Sequence, residues 1–148
     1  MITNNHEETI KTQKYLINRI EGLNIDTRHK QLKLFSAIYS QVFHSCPELN
    51  TISWIHYTPN FIDGLISGFD IQSKISFSTE EPENVTLDQH INNNLPVQVE
   101  KNEVICFFEE FMRSNLKLLE NMYNDDDGEG YFIRIHRNGE ILVKFDHE

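Results

Sequence analysis

Hydrophobic periodicity divides the chain into helical and extended stretches. From Glu7 to about Leu23, the apolar positions Ile10, Leu16, Ile17, Ile20 and Leu23 fall on one broad stripe, with Lys11, Lys14 and Arg19 largely off it. That spacing predicts an amphipathic helix, ended by Gly22 and the turn residues Asn24 to Asp26. Asp26 or Thr27 can cap a second helix running to about His44, with Leu34, Phe35, Ile38, Val42 and Phe43 as its buried face and Pro47 closing it. Thr51 to Tyr57 alternates Ile52, Trp54, His56 against Ser53, Ile55, Tyr57, the pattern of a half-buried strand. Phe61 to Phe77 is interrupted by Gly64 and Gly68 but rich in Ile and Phe, which predicts one or two more strands with a bend or bulge. Between Ser78 and Asn94 the apolar residues thin out, and Glu80, Glu81, Glu83, Asp88 and three consecutive Asn read as an exposed connection. From about Glu100 to Tyr123 the longest helix is expected. Val104, Phe107, Phe108, Phe111, Met112, Leu118, Leu119 and Met122 give it an apolar face wide enough for a central position.

The C-terminal segment reads as a hairpin. Tyr131, Ile133 and Ile135 share one face of its first strand, and Ile141, Val143 and Phe145 one face of its second. A two-residue Asn138-Gly139 turn would put the two apolar rows on opposite faces. A three-residue loop, Arg137-Asn138-Gly139 with Gly139 left-handed, pairs His136 with Glu140 and brings Ile135 opposite Ile141, Ile133 opposite Val143 and Tyr131 opposite Phe145. The expectation is the bulged hairpin. The whole order of elements predicts an α+β domain: an antiparallel sheet with the long helix packed on one face, two N-terminal helices and a C-terminal β-hairpin.

Length and composition fit one domain spanning residues 1–148: the chain is 39% hydrophobic, with ten Phe, five Tyr and one Trp. Its apolar runs are a few residues long, so no membrane span is expected. The N-terminus lacks the basic and apolar regions of a secretory signal, which points to the cytoplasm. Cys46 and Cys106, far apart and among apolar neighbours, read as buried free thiols.

Charge changes the picture most. Twenty-three Asp and Glu against thirteen Lys and Arg leave a formal net charge of −10, a field that repels nucleic acid and acidic membranes and attracts basic partners. Arg28, Lys30 and Lys33 share one helix but are outweighed by acids elsewhere, so neither nucleic acid nor membrane is an expected partner. The densest acidic run is Asp125-Asp126-Asp127-Gly128-Glu129-Gly130. On a calcium-loop template it begins acceptably and then fails, with His136 where a bidentate Glu is required. The seven histidines are isolated, with no zinc spacing; His56 and His136 are the two best placed to share a sheet face. Gly64 and Gly68 lack the Lys and Ser or Thr of a phosphate loop, and no Ser or Cys sits in a nucleophile signature. The residues therefore predict a binder and not an enzyme, with no cofactor and no metal. Asp125, Asp126, Asp127 and Glu129 form one candidate partner surface, Glu80, Glu81 and Glu83 a second, and Tyr57 and Phe132 are candidate exposed aromatic anchors.

The strand Ser53-Trp54-Ile55-His56-Tyr57 and the tail Asn138-Gly139-Glu140-Ile141-Leu142-Val143-Lys144-Phe145-Asp146 resemble those of bacterial immunity proteins from polymorphic toxin and contact-dependent inhibition systems, the YezG-like antitoxins in particular. The order of elements is similar across most of the chain, and the second N-terminal helix departs from that pattern. The resemblance implies a protein that binds and blocks a cognate toxin domain, often a nuclease with a basic surface. An acidic adaptor or regulatory subunit for another basic protein, or a small metal-dependent module built on Asp125 to Glu129 with His136, are the alternatives the residues leave open.

Overall fold

The computed structural model describes residues 2–21, 28–57, 61–62, 65–66, 70–71, 74–115, 118–119, 122 and 130–145. In chain order its elements are α1 (Ile2–Glu21), α2 (Arg28–Ser45), β1 (Thr51–Tyr57), β2 (Phe61–Ile62), β3 (Leu65–Ile66), β4 (Asp70–Ile71), β5 (Ser76–Ser78), a 3₁₀ turn (Pro82–Asn84), α3 (Leu87–Ile91), α4 (Glu103–Ser114), β6 (Gly130–His136) and β7 (Gly139–Phe145). The fold is α+β with an antiparallel sheet. Two compact units divide the chain, each from two separated segments: Met1–Pro47 with Glu100–Tyr123, and Glu48–Val99 with Asn124–Glu148.

The first unit is helical. Phe35, Ile38 and Val42 of α2, Val104, Phe108 and Met112 of α4, and Ile20 of α1 are fully buried, as their 3.6-residue spacing anticipates, while Ile105, outside the expected face, is also fully buried and Phe107, within it, is half-buried. Phe35 stacks on Phe108 with ring centroids 6.0 Å apart, and Phe111 completes the aromatic group. Asn102 serves two helix ends. Its side-chain oxygen accepts the Ile105 N–H (2.8 Å) as the N-cap of α4, and its amide donates to the Ser45 carbonyl (3.3 Å) at the end of α2. The helix expected to run unbroken to Tyr123 stops at Ser114. Asn115 leaves helical geometry (φ −126°, ψ 46°) while its side chain donates to the Phe111 carbonyl, the local competition that makes Asn a poor helix-interior residue. Helical backbone returns at 118–119 and at 122. Cys46 is buried as expected, whereas Cys106 is exposed on α4. The expected capping residues Asp26 and Thr27 lie outside the described residues.

The second unit is built around β1. β6 pairs with β1 along its whole length, from Thr51↔His136 to Tyr57↔Gly130. β4 pairs with β1 at His56 and Tyr57, and β5 at Thr51 to Ser53. β7 pairs with β6, which gives the order β4-β1-β6-β7 with β5 also on β1, and β2 and β3 form a separate two-stranded ladder. Where one or two strands were expected between Phe61 and Phe77, there are four short ones, β2 to β5. Every residue from Thr51 to His56 is buried, so β1 is covered on both faces.

That double burial overturns the bulged hairpin. His136 pairs with Gly139 across the two-residue turn Arg137-Asn138, Ile133 with Leu142, and Ile135 with Glu140. The bulge was inferred to keep both apolar rows on one face, but β6 itself is buried on both: Tyr131, Ile133 and Ile135 on one side and Phe132 on the other. Gly139 sits within the strand and is not left-handed; among the described non-glycine residues only Asn93 has a positive φ, 54°. The connection from Ser78 to Asn94 is also more ordered than expected. It contains the 3₁₀ turn and α3, and it buries Pro82, Val85 and His90.

Phe108 is fully buried in the aromatic group of the helical unit, so Phe108→Ala is expected to destabilise the protein by about 3–5 kcal/mol. Chemical denaturation followed by helical circular dichroism checks this, and a change under about 1 kcal/mol contradicts the packing described.

Candidate functional site

Register places Thr51, Ser53 and Ile55 of β1 on the same sheet face as Phe132, Arg134 and His136 of β6. The segment from Glu80 to Ile91 lies over that face and is bonded to it at several points. The Thr51 hydroxyl donates to the Glu80 carbonyl (2.7 Å). Arg134 Nη1 donates to the carbonyls of Pro82 (2.8 Å) and Val85 (3.1 Å), and its guanidinium lies 5.4 Å from the Phe132 ring centre. His136 Nε2 is 3.2 Å from a carboxylate oxygen of Glu81. Ile55, Phe132 and Val85 form a buried cluster with Leu87 packed against it.

Glu81 and Glu83 are exposed and Glu80 is half-buried. Glu81 and Glu83 line an open cleft of about 610 Å³ together with Arg134, His136, Asn138 and Glu140. Two of the three residues of the second candidate patch, Glu81 and Glu83, thus share one cleft, and Glu80 is not in its lining. The cleft adds Glu140, which was not singled out from the sequence. Arg134 was missed as well, because its partners are main-chain carbonyls about fifty positions away and leave no local pattern. The helix α3 was missed too, although the Thr86-x-x-Gln89 capping box is a local signal for it: Thr86 accepts the Gln89 N–H while the Gln89 side chain accepts the Thr86 N–H.

Other candidates fare differently. Phe132 is 2% exposed, so it is a core residue under the acidic segment and not an exposed anchor; strand alternation there runs apolar on both faces. Tyr57 pairs through its backbone with Gly130 and Asp70, and its side chain lies outside the described positions. Asp125, Asp126, Asp127 and Glu129 also lie outside the described residues. His56 and His136 do not share a face, since His56 stands opposite Tyr131 and His136 opposite Thr51. The ring of His136 meets Glu81 instead of the expected Glu140.

Two histidines are buried within this unit. His90 Nε2 is 2.8 Å from the Ser53 hydroxyl, with its ring edge-on to Phe132, which fixes α3 to β1. With Ser53 0% and His90 2% exposed, the pair has no access for a substrate and acts as a tie between elements. His56 Nδ1 accepts the Trp54 indole N–H at 3.1 Å. Burial disfavours the charged imidazole and lowers His90 from its usual 6.5 to about 4 and His56 to about 3.

Among the described residues, no group of three or more His, Cys, Asp or Glu could hold a metal ion, and no helix is long and apolar enough to cross a membrane. In comparison with known proteins, the chain matches no family model, no curated protein and no solved structure.

Arg134→Met keeps the stem over Phe132 but removes the guanidinium donor from the Val85 carbonyl and leaves the Pro82 carbonyl only the Val85 N–H. It is expected to destabilise the protein by about 1–3 kcal/mol and to raise amide exchange from residue 82 to residue 91 while exchange in the helical unit stays unchanged. Uniform exchange in the variant contradicts the clamp. Because both buried histidines have lowered folded-state pKa values, the folded state binds fewer protons than the unfolded chain below the usual 6.5. Their contribution to stability is complete above that pH and is lost as pH falls toward 4 for His90 and 3 for His56. Denaturation midpoints of wild type and His90→Gln, measured from pH 7 to pH 4.5, should show the shallower pH slope in the variant; parallel slopes argue against a buried neutral His90.

Proposed function

We propose that this chain is a non-enzymatic immunity protein of the cytoplasm, which binds and neutralises a cognate toxin domain by presenting an acidic surface to a basic one. The observation that supports this most is the support beneath Glu80, Glu81 and Glu83. The Glu80 carbonyl is bonded to Thr51 and the Pro82 and Val85 carbonyls on either side of Glu83 to Arg134, and two of the three side chains, Glu81 and Glu83, are exposed. Carboxylates held on an ordered segment lose little conformational freedom on docking, so more of their attraction for a cationic partner survives as affinity. A nuclease cleft is lined with cations for phosphate, and these carboxylates are suited to stand in for that phosphate. The net charge of −10 adds long-range steering toward such a surface. Inhibition in this reading is occupation of the basic surface and involves no covalent step.

Calorimetry of the purified chain against the toxin domain encoded immediately upstream, at low and high salt, tests the reading. Tight binding that weakens with salt is expected. The combined change Glu80→Gln, Glu81→Gln and Glu83→Gln is expected to slow association about tenfold at low salt and flatten its salt dependence. Absence of binding rejects the immunity reading, and an unchanged association rate in the triple variant removes this segment from the interface.

A further inference from the structure

Both arginines of β6 and its turn direct their hydrogen bonds to main-chain carbonyls: Arg134 to Pro82 and Val85, and Arg137 to Leu49. Among the described residues no Lys or Arg forms an ion pair with Glu80, Glu81, Glu83 or Asp88, whereas in the helical unit Glu8 and Glu109 each meet a lysine. The side chain that does meet a carboxylate of the acidic segment is His136, with Nε2 3.2 Å from Glu81. Solvent reaches both, at 23% and 51% side-chain exposure, on the wall of the cleft that also holds Glu83, Arg134, Asn138 and Glu140. The counter-charge of this surface is therefore an imidazole, which can be present or absent, and not a permanent cation.

The other ring nitrogen fixes the tautomer. The Asn138 backbone N–H, which can only donate, lies 3.3 Å from His136 Nδ1. Nδ1 is thus the acceptor, and the proton of the neutral imidazole sits on Nε2, donated to Glu81. In this state His136 orients Glu81 and adds no charge to the surface. A second proton has one place to go, Nδ1, where it meets the Asn138 N–H donor to donor. Protonation breaks that bond within the Arg137-Asn138 turn, converts the Glu81 contact into an ion pair and raises the net charge of the cleft by one. We propose that His136 gates the acidic surface by pH: neutral, it holds Glu81 with its negative charge uncancelled; protonated, it cancels that charge and weakens the hold on a cationic partner. The charged groups around it are Glu81 and Glu83 of the acidic segment and Arg134 and Glu140 of its own hairpin, while Thr51, its register partner on β1, is uncharged. The gate rests on the reading of this segment as the surface that meets a basic partner, and adds that the partner is held less tightly in acid.

Hexa-arginine is a cationic probe that needs no toxin. Titrated into the full chain at low salt, it is followed through the amide signals of Glu81 and Glu83, which report binding at this surface alone. From about pH 8 to about pH 5.5 the affinity they report is expected to fall about threefold, the scale of one exposed ion pair. In His136→Gln, which keeps a donor for Glu81 but takes up no proton, that fall is expected to disappear. His90 and His56, lowered to about 4 and 3, stay neutral across the range and leave the fold intact. Long-range nitrogen correlation spectra of wild type at the upper pH should show His136 protonated at Nε2 and bare at Nδ1. If His136→Gln fails to fold, by circular dichroism, His136→Asn supplies the non-titrating comparison. A proton on Nδ1 of the neutral ring, equal pH dependence in wild type and variant, or no response of these amides to hexa-arginine each overturn the gate. A gate seen with hexa-arginine in a chain that does not bind the upstream toxin domain upholds the gate and rejects the immunity reading.

Discussion

Arg134 is the interaction on which the sheet unit's functional surface depends. It is a cation on a sheet face that also carries Ile55 and Phe132, and its charge is answered there by two backbone carbonyls of the 82–85 turn. A turn carbonyl has no ladder partner and a half-buried Arg needs acceptors, so the guanidinium bonds the Val85 carbonyl and adds a second donor to the Pro82 carbonyl, which also accepts the Val85 N–H. The Phe132 ring beneath the guanidinium supplies the flat apolar support that holds it in plane. Once the turn is fixed, Glu81 and Glu83 have a defined position on the rim of the cleft, and α3 follows through Val85, Leu87 and His90.

The polar residues of β1 take part in the same solution. Thr51 and Ser53 are completely buried, which for hydroxyls is tolerable only with partners. Thr51 finds a carbonyl of the acidic segment and Ser53 the imidazole of α3. Alternation along Thr51 to His56 thus distinguishes two kinds of burial: apolar contact around Ile52 and Trp54, and hydrogen-bonded contact around Thr51 and Ser53. Keeping His90 and His56 neutral belongs to the same arrangement, since a charged imidazole at either position would need solvent that the packing excludes.

Much of the fold was legible in the chain. The two N-terminal helices, β1 with its limits at Thr51 and Tyr57, and the α+β class all follow from periodicity and composition. The misread hairpin and the misread acidic segment share one cause. A strand with a single buried face demands that Tyr131, Ile133 and Ile135 align with Ile141, Val143 and Phe145, and the bulged hairpin followed from that premise. A second layer over Phe132 removes the premise, and nothing local to the hairpin announces that layer. Likewise, Glu80 to Glu83 reads as a solvated loop because its backbone partners, Thr51 and Arg134, come from distant positions. Acidity marked the patch correctly as a surface, while its rigidity is a tertiary property. Asn115 shows the opposite case, where a local side-chain bond to Phe111 outweighs a continuous apolar stripe.

The placement of β1 at the centre of the sheet has a consequence for synthesis. Its full-length partner β6 begins at Gly130, 73 positions beyond Tyr57 by their direct pairing, and the register Thr51↔His136 spans 85. At the usual 5–20 residues per second, β6 leaves the ribosome on the order of 4–16 s after β1. During that interval the Thr-Ile-Ser-Trp-Ile-His segment has no ladder on the edge β6 will occupy and no completed layer over its two buried faces. A nascent chain of this design depends on whatever shields such a segment in the cell, and truncation before residue 130 releases a strand built for burial with its principal partner missing.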